Sequence, residues 1–205
     1  CGTLFPYTTL FRSLGSKWPV FKLAYKKGLE IFGSEVNYDF LEFGIGDNVR
    51  LGLVGESEYD VFAGGFINNI SMEFMDYKHF DGNQAYLLPV ITGASAFGEA
   101  DRSLNRSFEA LPYYTNSTNR YFIEAHYMHH FKGFLMNKIP GIRKLELQVL
   151  AGVNYLYTPK SGNYFELITG IENIFRVLRL DLATYWMEGR KAQVAVRMGI
   201  DLDFR

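Results

Sequence analysis

The chain has 205 residues and a formal net charge of −1, so it lacks the positive charge that nucleic-acid binding requires. Hydrophobic residues make up 48% of it, which is too many for a disordered chain, and its single cysteine excludes an internal disulfide. No apolar stretch reaches the ~18 residues of a transmembrane helix, whereas 18 Phe, 14 Tyr and 20 Gly favour strands joined by turns.

The first residues of the chain are interpreted as a sequencing artefact. Residues 3–13 match, codon by codon, the translation of a common sequencing-adapter oligonucleotide. We therefore set residues 1–13 aside, expect natural sequence to be missing upstream, and treat Cys1 as no sign of a lipid anchor. Residues 14–205 are expected to form one β-domain.

Beyond residue 17 the apolar residues recur with a period of two, which predicts about eight strands. A change of phase between Phe40 and Leu41 predicts a β-bulge. The interval 68–119 contains Pro89 and Pro112 and is predicted to be a long loop or insert. The predicted strands lie within residues 21–26, 36–45, 49–63, 121–131, 145–157, 164–171, 178–186 and 191–204.

Several of these segments are longer than the ~5–6 residues of a typical globular strand. They are long enough to cross a bilayer at a tilt, which takes roughly 9–11 residues. Val194, Val196 and Leu202 share one face of the last strand, whereas Arg197 and Asp201 share the other. The fold class predicted is all-β, an antiparallel transmembrane β-barrel. A soluble β-barrel or sandwich would show the same alternation and remains the alternative.

The histidines do not predict a metal site. His126 and His130 share a face of a strand, but at ~3.3 Å per residue they stand about 13 Å apart, far more than zinc ligation allows. Polar residues facing the barrel interior are expected to form a charge ladder rather than a catalytic pair, so we expect no enzyme activity and no cofactor in this portion. The interior residues are Glu124, Glu146, Glu166, Glu172, Asp181, Asp201, Asp203, Lys132, Arg179 and Arg197.

Four motifs together resemble a known family: residues 77–84 (YKHFDGNQ), 114–122 (YTNSTNRYF), 124–140 (EAHYMHHFKGFLMNKIP) and 170–175 (GIENIF). They are similar to the C-terminal part of a Bacteroidetes outer-membrane family of unknown function. Full-length members of that family carry an N-terminal carboxypeptidase-regulatory-like domain. The resemblance implies the outer membrane of a Gram-negative bacterium as the location, with membrane lipid and the barrel-assembly machinery as partners.

The β-region is also distantly similar to the surface-antigen and barrel-assembly superfamily, whose barrels have sixteen strands. The resemblance implies that about eight C-terminal strands of such a barrel are present here. In that superfamily an Arg-Gly loop tip is tucked into the lumen, and its position corresponds here to Phe80, Asp81, Gly82 and Asn83, with no arginine before the glycine. Phe204 corresponds to the C-terminal aromatic signal that the assembly machinery recognises.

Three functions follow as expectations. The first is a role in envelope biogenesis, in protein or lipid assembly, or in transport through the barrel. The second is a passive or TonB-dependent-like receptor barrel, and the third is a soluble ligand-binding β-barrel. If the parent barrel has about sixteen strands, the isolated chain has an open edge, and we expect it to aggregate or to close as a smaller barrel.

Overall fold

The computed structural model of the protein describes residues 18–30, 35–82, 107–138, 145–175 and 177–200. Eight strands in these ranges form a single antiparallel sheet, in which each strand pairs with the next along the chain. They are β1 (Val20–Gly28), β2 (Asn37–Arg50), β3 (Glu56–Ser71), β4 (Tyr121–His130), β5 (Gln148–Thr158), β6 (Gly162–Ile174), β7 (Leu178–Met187) and β8 (Gln193–Ile200).

The all-β, antiparallel part of the predicted fold class is confirmed. Within the described residues the helical segments are three-residue 3₁₀ turns, and none is long and apolar enough to cross a membrane. In the same ranges β1 pairs with β2 alone and β8 with β7 alone, so the sheet is open at both edges.

The prediction of one strand over residues 49–63 is wrong. β2 ends at Arg50 and β3 begins at Glu56, and the chain reverses between them through Gly52 (φ 61°) and Gly55 (φ 125°). A Cβ on Gly55 would lie 1.9 Å from the carbonyl oxygen of His130, so the turn needs glycine there. Leu51 and Leu53 of the turn are apolar and exposed, which extended the strand-like pattern across it.

The bulge in β2 lies slightly earlier than predicted. The pairing with β3 shifts between Asn37 and Tyr38 and again between Asp39 and Phe40. Burial alternates regularly from Phe40, which is buried, to Leu41, which is exposed. The apolar pattern changes phase there because Phe40 packs on the other face of the sheet, against Phe66 and Phe122.

The two faces of the sheet differ sharply. One face, called the covered face below, packs against residues 77–82 and 107–119, and its core holds Phe40, Phe80, Phe108, Leu111, Phe122, Leu156 and Tyr164. The opposite side is called the bare face. Its apolar side chains are exposed, among them Leu41, Phe43, Val61, Ile123, Leu167, Leu180, Leu182, Val194, Val196 and Met198.

Candidate functional site

The interval predicted as a loop is partly folded onto the covered face. β3 continues to Ser71, and beyond it Lys78 and Thr118 form an isolated antiparallel bridge through two backbone hydrogen bonds of 2.9 and 3.1 Å. The N–H of Phe108 donates to the carbonyl oxygen of Asp81 at 2.8 Å. The two described parts of the interval therefore lie side by side across the sheet.

Residues 107–111, called the clasped segment below, lie deepest. Phe108 is 0% exposed and Leu111 2% exposed. The Phe108 ring stands 4.7 Å from the His126 ring and 5.6 Å from the Tyr164 ring, centre to centre. Burying a side chain of this size contributes roughly 1.5–3 kcal/mol, so the segment is anchored by packing as well as by polar contacts.

Glu166 on β6 holds the backbone of the clasped segment. Its carboxylate accepts the N–H of Glu109 at 3.0 Å and the N–H of Ala110 at 2.7 Å. The side chains of Asn154, at 3.0 Å, and Tyr164 donate to the same carboxylate. A fully buried carboxylate is costly unless its lone pairs are satisfied, and four donors satisfy this one.

Two arginines bind the side chain of Glu109 in the clasped segment. The Glu109 carboxylate pairs with Arg197 of β8 at 2.8 Å and with Arg179 of β7 at 3.6 Å. Both arginines also pair with the buried Asp181, at 3.2 and 2.7 Å respectively. Side chains of β6, β7 and β8 thus all bind the clasped segment, which lies across the three strands.

The cluster extends along the covered face in both directions. Arg179 pairs with Glu172 at 3.2 Å, and Glu172 accepts a hydrogen bond from Nδ1 of His130 at 3.1 Å. Further along, His126 lies 2.9 Å from Glu124 and 3.0 Å from Asn154. Most members are buried, and His130, Glu172 and Arg197 are half-buried, so the covered face carries a connected polar network rather than separate surface pairs.

Burial, and after it the neighbouring carboxylates of Asp181 and Glu166, raise the pKa of the Glu109 carboxyl to about 8, although Arg197 and Arg179 lower it. Burial is the main cause, and the nearby carboxylates of Asp181 and Glu166 add to it. Glu109 therefore holds a proton more readily than an exposed glutamate does.

A glycine makes room for the charged cluster. A Cβ on Gly170 of β6 would lie 2.1 Å from Oδ1 of Asp181. Any larger residue at Gly170 would push Asp181 away from Arg179 and Arg197. The charged cluster therefore depends on the small size of Gly170 as well as on its charged residues.

The structure places part of the loop tip expected from the resemblance. Phe80 is buried and packs edge-on against Phe122 at 5.2 Å, and Gly82 is also buried. Asp81 is exposed, and its carbonyl oxygen holds the clasped segment as described above. Asn83 and Phe204, the other two expectations, lie outside the described residues.

The interior charge ladder predicted from the alternation has a partner that sequence reasoning missed. Six of the ten predicted residues share the covered face, namely Glu124, Glu166, Glu172, Asp181, Arg179 and Arg197. The prediction is wrong for Lys132 and Glu146, which are exposed and lie outside β4 and β5, and Asp201 and Asp203 lie outside the described residues. Glu109 was missed because it belongs to no alternating segment and its partner Arg197 is 88 positions away. The available signal was the short run Phe108-Glu109-Ala110-Leu111, which follows a polar stretch and precedes Pro112.

His126 and His130 both lie on the covered face, where Asn154 and Glu124 contact the two ring nitrogens of His126 and Glu172 contacts Nδ1 of His130. In the part of the chain that the structure describes, no group of three or more His, Cys, Asp or Glu side chains is arranged to hold a metal ion. The arrangement binds a chain segment. Glu166 accepts hydrogen bonds from backbone N–H groups of the clasped segment, and Arg179 and Arg197 pair with the Glu109 carboxylate.

Comparison with protein families gives one result. A family model described as the C-terminal domain of a family of unknown function (DUF5686) matches residues 11–171. The matched range contains Glu109, Asn154 and Glu166 and ends within β6. No curated protein and no solved structure matches the chain.

Proposed function

We propose that this chain, which belongs to the C-terminal domain family of unknown function DUF5686, forms part of the wall of an antiparallel transmembrane β-barrel in a bacterial outer membrane. The observation that carries the proposal is the bare face. On β8 alone Val194, Val196 and Met198 are 63%, 69% and 72% exposed. Exposed apolar surface of this extent supports a face that meets a membrane rather than water.

The strand lengths support a bilayer crossing. The strands from β2 to β7 have 10 to 16 residues, whereas a tilted transmembrane strand needs roughly 9–11. In a membrane the bare face would meet lipid and the covered face the lumen. Arg179 and Arg197 would then face inward, where they avoid the roughly 2–4 kcal/mol that an arginine costs at the bilayer midplane.

Aromatic side chains support the position of one membrane boundary. On the bare face, Tyr121 at the start of β4 lies 6.2 Å from Tyr157 near the end of β5. Phe165 near the start of β6 lies 5.5 Å from Trp186 near the end of β7. All four stand at the same end of the sheet, as residues of an interfacial aromatic girdle do.

The open edges support a larger barrel, because unpaired backbone groups are not tolerated in hydrocarbon. We propose that further strands close the barrel to about sixteen, as in the surface-antigen superfamily, after a carboxypeptidase-regulatory-like domain of a Bacteroidetes-type protein. The barrel-assembly machinery would insert it. The clasped segment would narrow the lumen, so the protein would act in protein or lipid assembly or in transport, without chemistry in this portion.

The test uses the full-length protein expressed in a Gram-negative bacterium. We expect it in the outer-membrane fraction after density separation, resistant to carbonate extraction, soluble only in detergent, and shifted in gel mobility by heating. Recovery in buffer without detergent, and no heat-dependent shift, would instead establish a soluble ligand-binding barrel. An upstream plug domain in the intact gene would favour the receptor-type alternative.

A further inference from the structure

The bare face is interrupted by three polar side chains near one end of the sheet. Ser57 on β3 stands opposite His129 on β4 in the pairing, and its Oγ lies 2.7 Å from Nδ1 of His129. The same Oγ lies 3.3 Å from the hydroxyl of Tyr127. Ser57, Tyr127 and His129, called the polar trio below, therefore share hydrogen bonds on a face whose other exposed side chains are mainly apolar.

The polar trio adjoins a cavity of about 290 Å³ that opens on the bare face. This volume lies at the lower limit of ordinary ligand pockets, roughly 300 Å³, and the cavity is shallow and open, so it has room for a segment of one chain lying along the face. Its walls are apolar apart from Tyr127 and His129 of the trio. They are formed by Leu51, Tyr127, His129, Phe131, Ala151, Gly152, Val153 and Leu167.

The trio is held rigidly in place. His129 is 8% exposed and Ser57 7% exposed, and the edge of the Phe131 ring meets the His129 ring at 4.4 Å. When the Ser57 hydroxyl donates to Nδ1, the proton of the neutral imidazole is on Nε2 and can be given to a further acceptor. When His129 donates from Nδ1 instead, Ser57 can donate to the Tyr127 hydroxyl, whose own proton is then available. In either tautomer a residue that lines the cavity can donate a hydrogen bond.

The cavity lies at the end of the sheet opposite the aromatic side chains, and this position suits a hydrogen bond to a lipid ester group. Leu51 belongs to the turn between β2 and β3, and His129 and Phe131 lie at the end of β4, opposite to the aromatic end of the sheet. The cavity would therefore lie at the second membrane boundary. There, hydrocarbon chains of lipids meet their ester groups.

We propose that this cavity binds one acyl chain of a glycerophospholipid, whose ester oxygen accepts a hydrogen bond from the polar trio. The inference rests on the proposed membrane location, because the bare face meets lipid only there. An acyl chain matches the narrow apolar lining, and an ester supplies the acceptor but no charge. The described residues that line the cavity include no carboxylate, lysine or arginine.

The experiment uses the full-length protein in vesicles of phosphatidylethanolamine and phosphatidylglycerol. A trace of phosphatidylethanolamine carrying a photoreactive diazirine in one acyl chain is added, and cross-links are mapped by mass spectrometry. We expect them to concentrate on peptides containing Leu51, Ala151 and Leu167. Ala151→Trp, which fills the cavity, should lower that yield at least fivefold, and His129→Phe should lower it by about fivefold, the effect of one lost hydrogen bond.

Ala63→Trp is the matched control, since Ala63 is an exposed alanine on the bare face that does not line the cavity. It should leave the cavity cross-links unchanged. Cross-links spread evenly over the bare face, and unaffected by Ala151→Trp, would overturn the lipid site while leaving the membrane location intact. Cross-links nowhere on the bare face would overturn the proposed membrane location itself.

Discussion

At Glu166 a fully buried carboxylate is made stable by its surroundings. Two backbone N–H groups, the Asn154 amide and the Tyr164 hydroxyl all donate to it. Because two of the donors belong to the clasped segment, the side chain links the sheet to the chain that crosses it. Removing one partner of such a contact is costly, because the groups left behind are buried without water.

Glu166→Ala should release the clasped segment. The N–H groups of Glu109 and Ala110 would lose their acceptor, and hydrogen bonds to charged groups are worth roughly 1.5–3 kcal/mol each. We expect chymotrypsin to cut at Phe108 or Leu111 at least tenfold faster in the membrane-embedded full-length protein. Glu30→Gln, at an exposed site, is the control. Equal cleavage of the Glu166 variant and the parent would contradict the assigned role.

Gly82→Ala tests the close approach of the two parts of the interval. A Cβ there would lie 2.5 Å from the carbonyl oxygen of Leu111, which is backbone and cannot move aside alone. We expect a loss of about 1–3 kcal/mol, seen as a lower temperature for the heat-induced gel shift. Gly199→Ala should have little effect, since its Cβ would meet Arg179 at an ordinary 4.0 Å. Equal midpoints for the two variants would refute this account of Gly82.

At the scale of the strands, alternation assigns each side chain to the bare face or to the covered face. Because the period is two, slipping β8 by one residue would turn Arg197 onto the bare face and bury Val196 against the cluster. The pairing Asp181↔Arg197 between β7 and β8 is therefore fixed by charge as well as by backbone hydrogen bonds.

A matched pair of substitutions on β8 tests this assignment. Val196→Arg would place a charge in hydrocarbon, at a cost of roughly 2–4 kcal/mol, and should sharply reduce the fraction of protein recovered in the outer membrane. Gln193→Arg, on the opposite face, should leave that fraction nearly unchanged. If both variants assemble equally well, the bare face does not meet lipid.

The strands were largely predictable from sequence because apolar and polar residues alternate along a strand whose two faces have different surroundings. β4, β5, β7 and β8 follow that rule closely. The rule failed where apolar residues occupy a turn, at Leu51 and Leu53, and at Phe40, where the apolar face changes sides. The clasped segment was not predictable, because its burial depends on Glu166 and Arg197, which are distant in sequence and signal nothing locally.

At the scale of the whole molecule, the described residues form one sheet whose two faces differ in polarity and whose two edge strands, β1 and β8, each have a single partner. Polar groups are paired on the covered face, where the clasped segment excludes solvent from the network. Apolar groups are exposed on the bare face, which only another apolar phase can satisfy. The strand lengths and the aromatic end of the sheet support the proposed barrel wall, in which further strands would pair with β1 and β8.

The most direct test measures what solvates the bare face. Single nitroxide labels are placed along residues 193–199 of the full-length protein in lipid vesicles, and their collisions with oxygen and with a water-soluble nickel chelate are compared by electron paramagnetic resonance. We predict high oxygen and low nickel accessibility at 194, 196 and 198, alternating with low oxygen accessibility at 193, 195 and 197. High nickel accessibility at 194, 196 and 198 would show that water meets this face and would contradict the account.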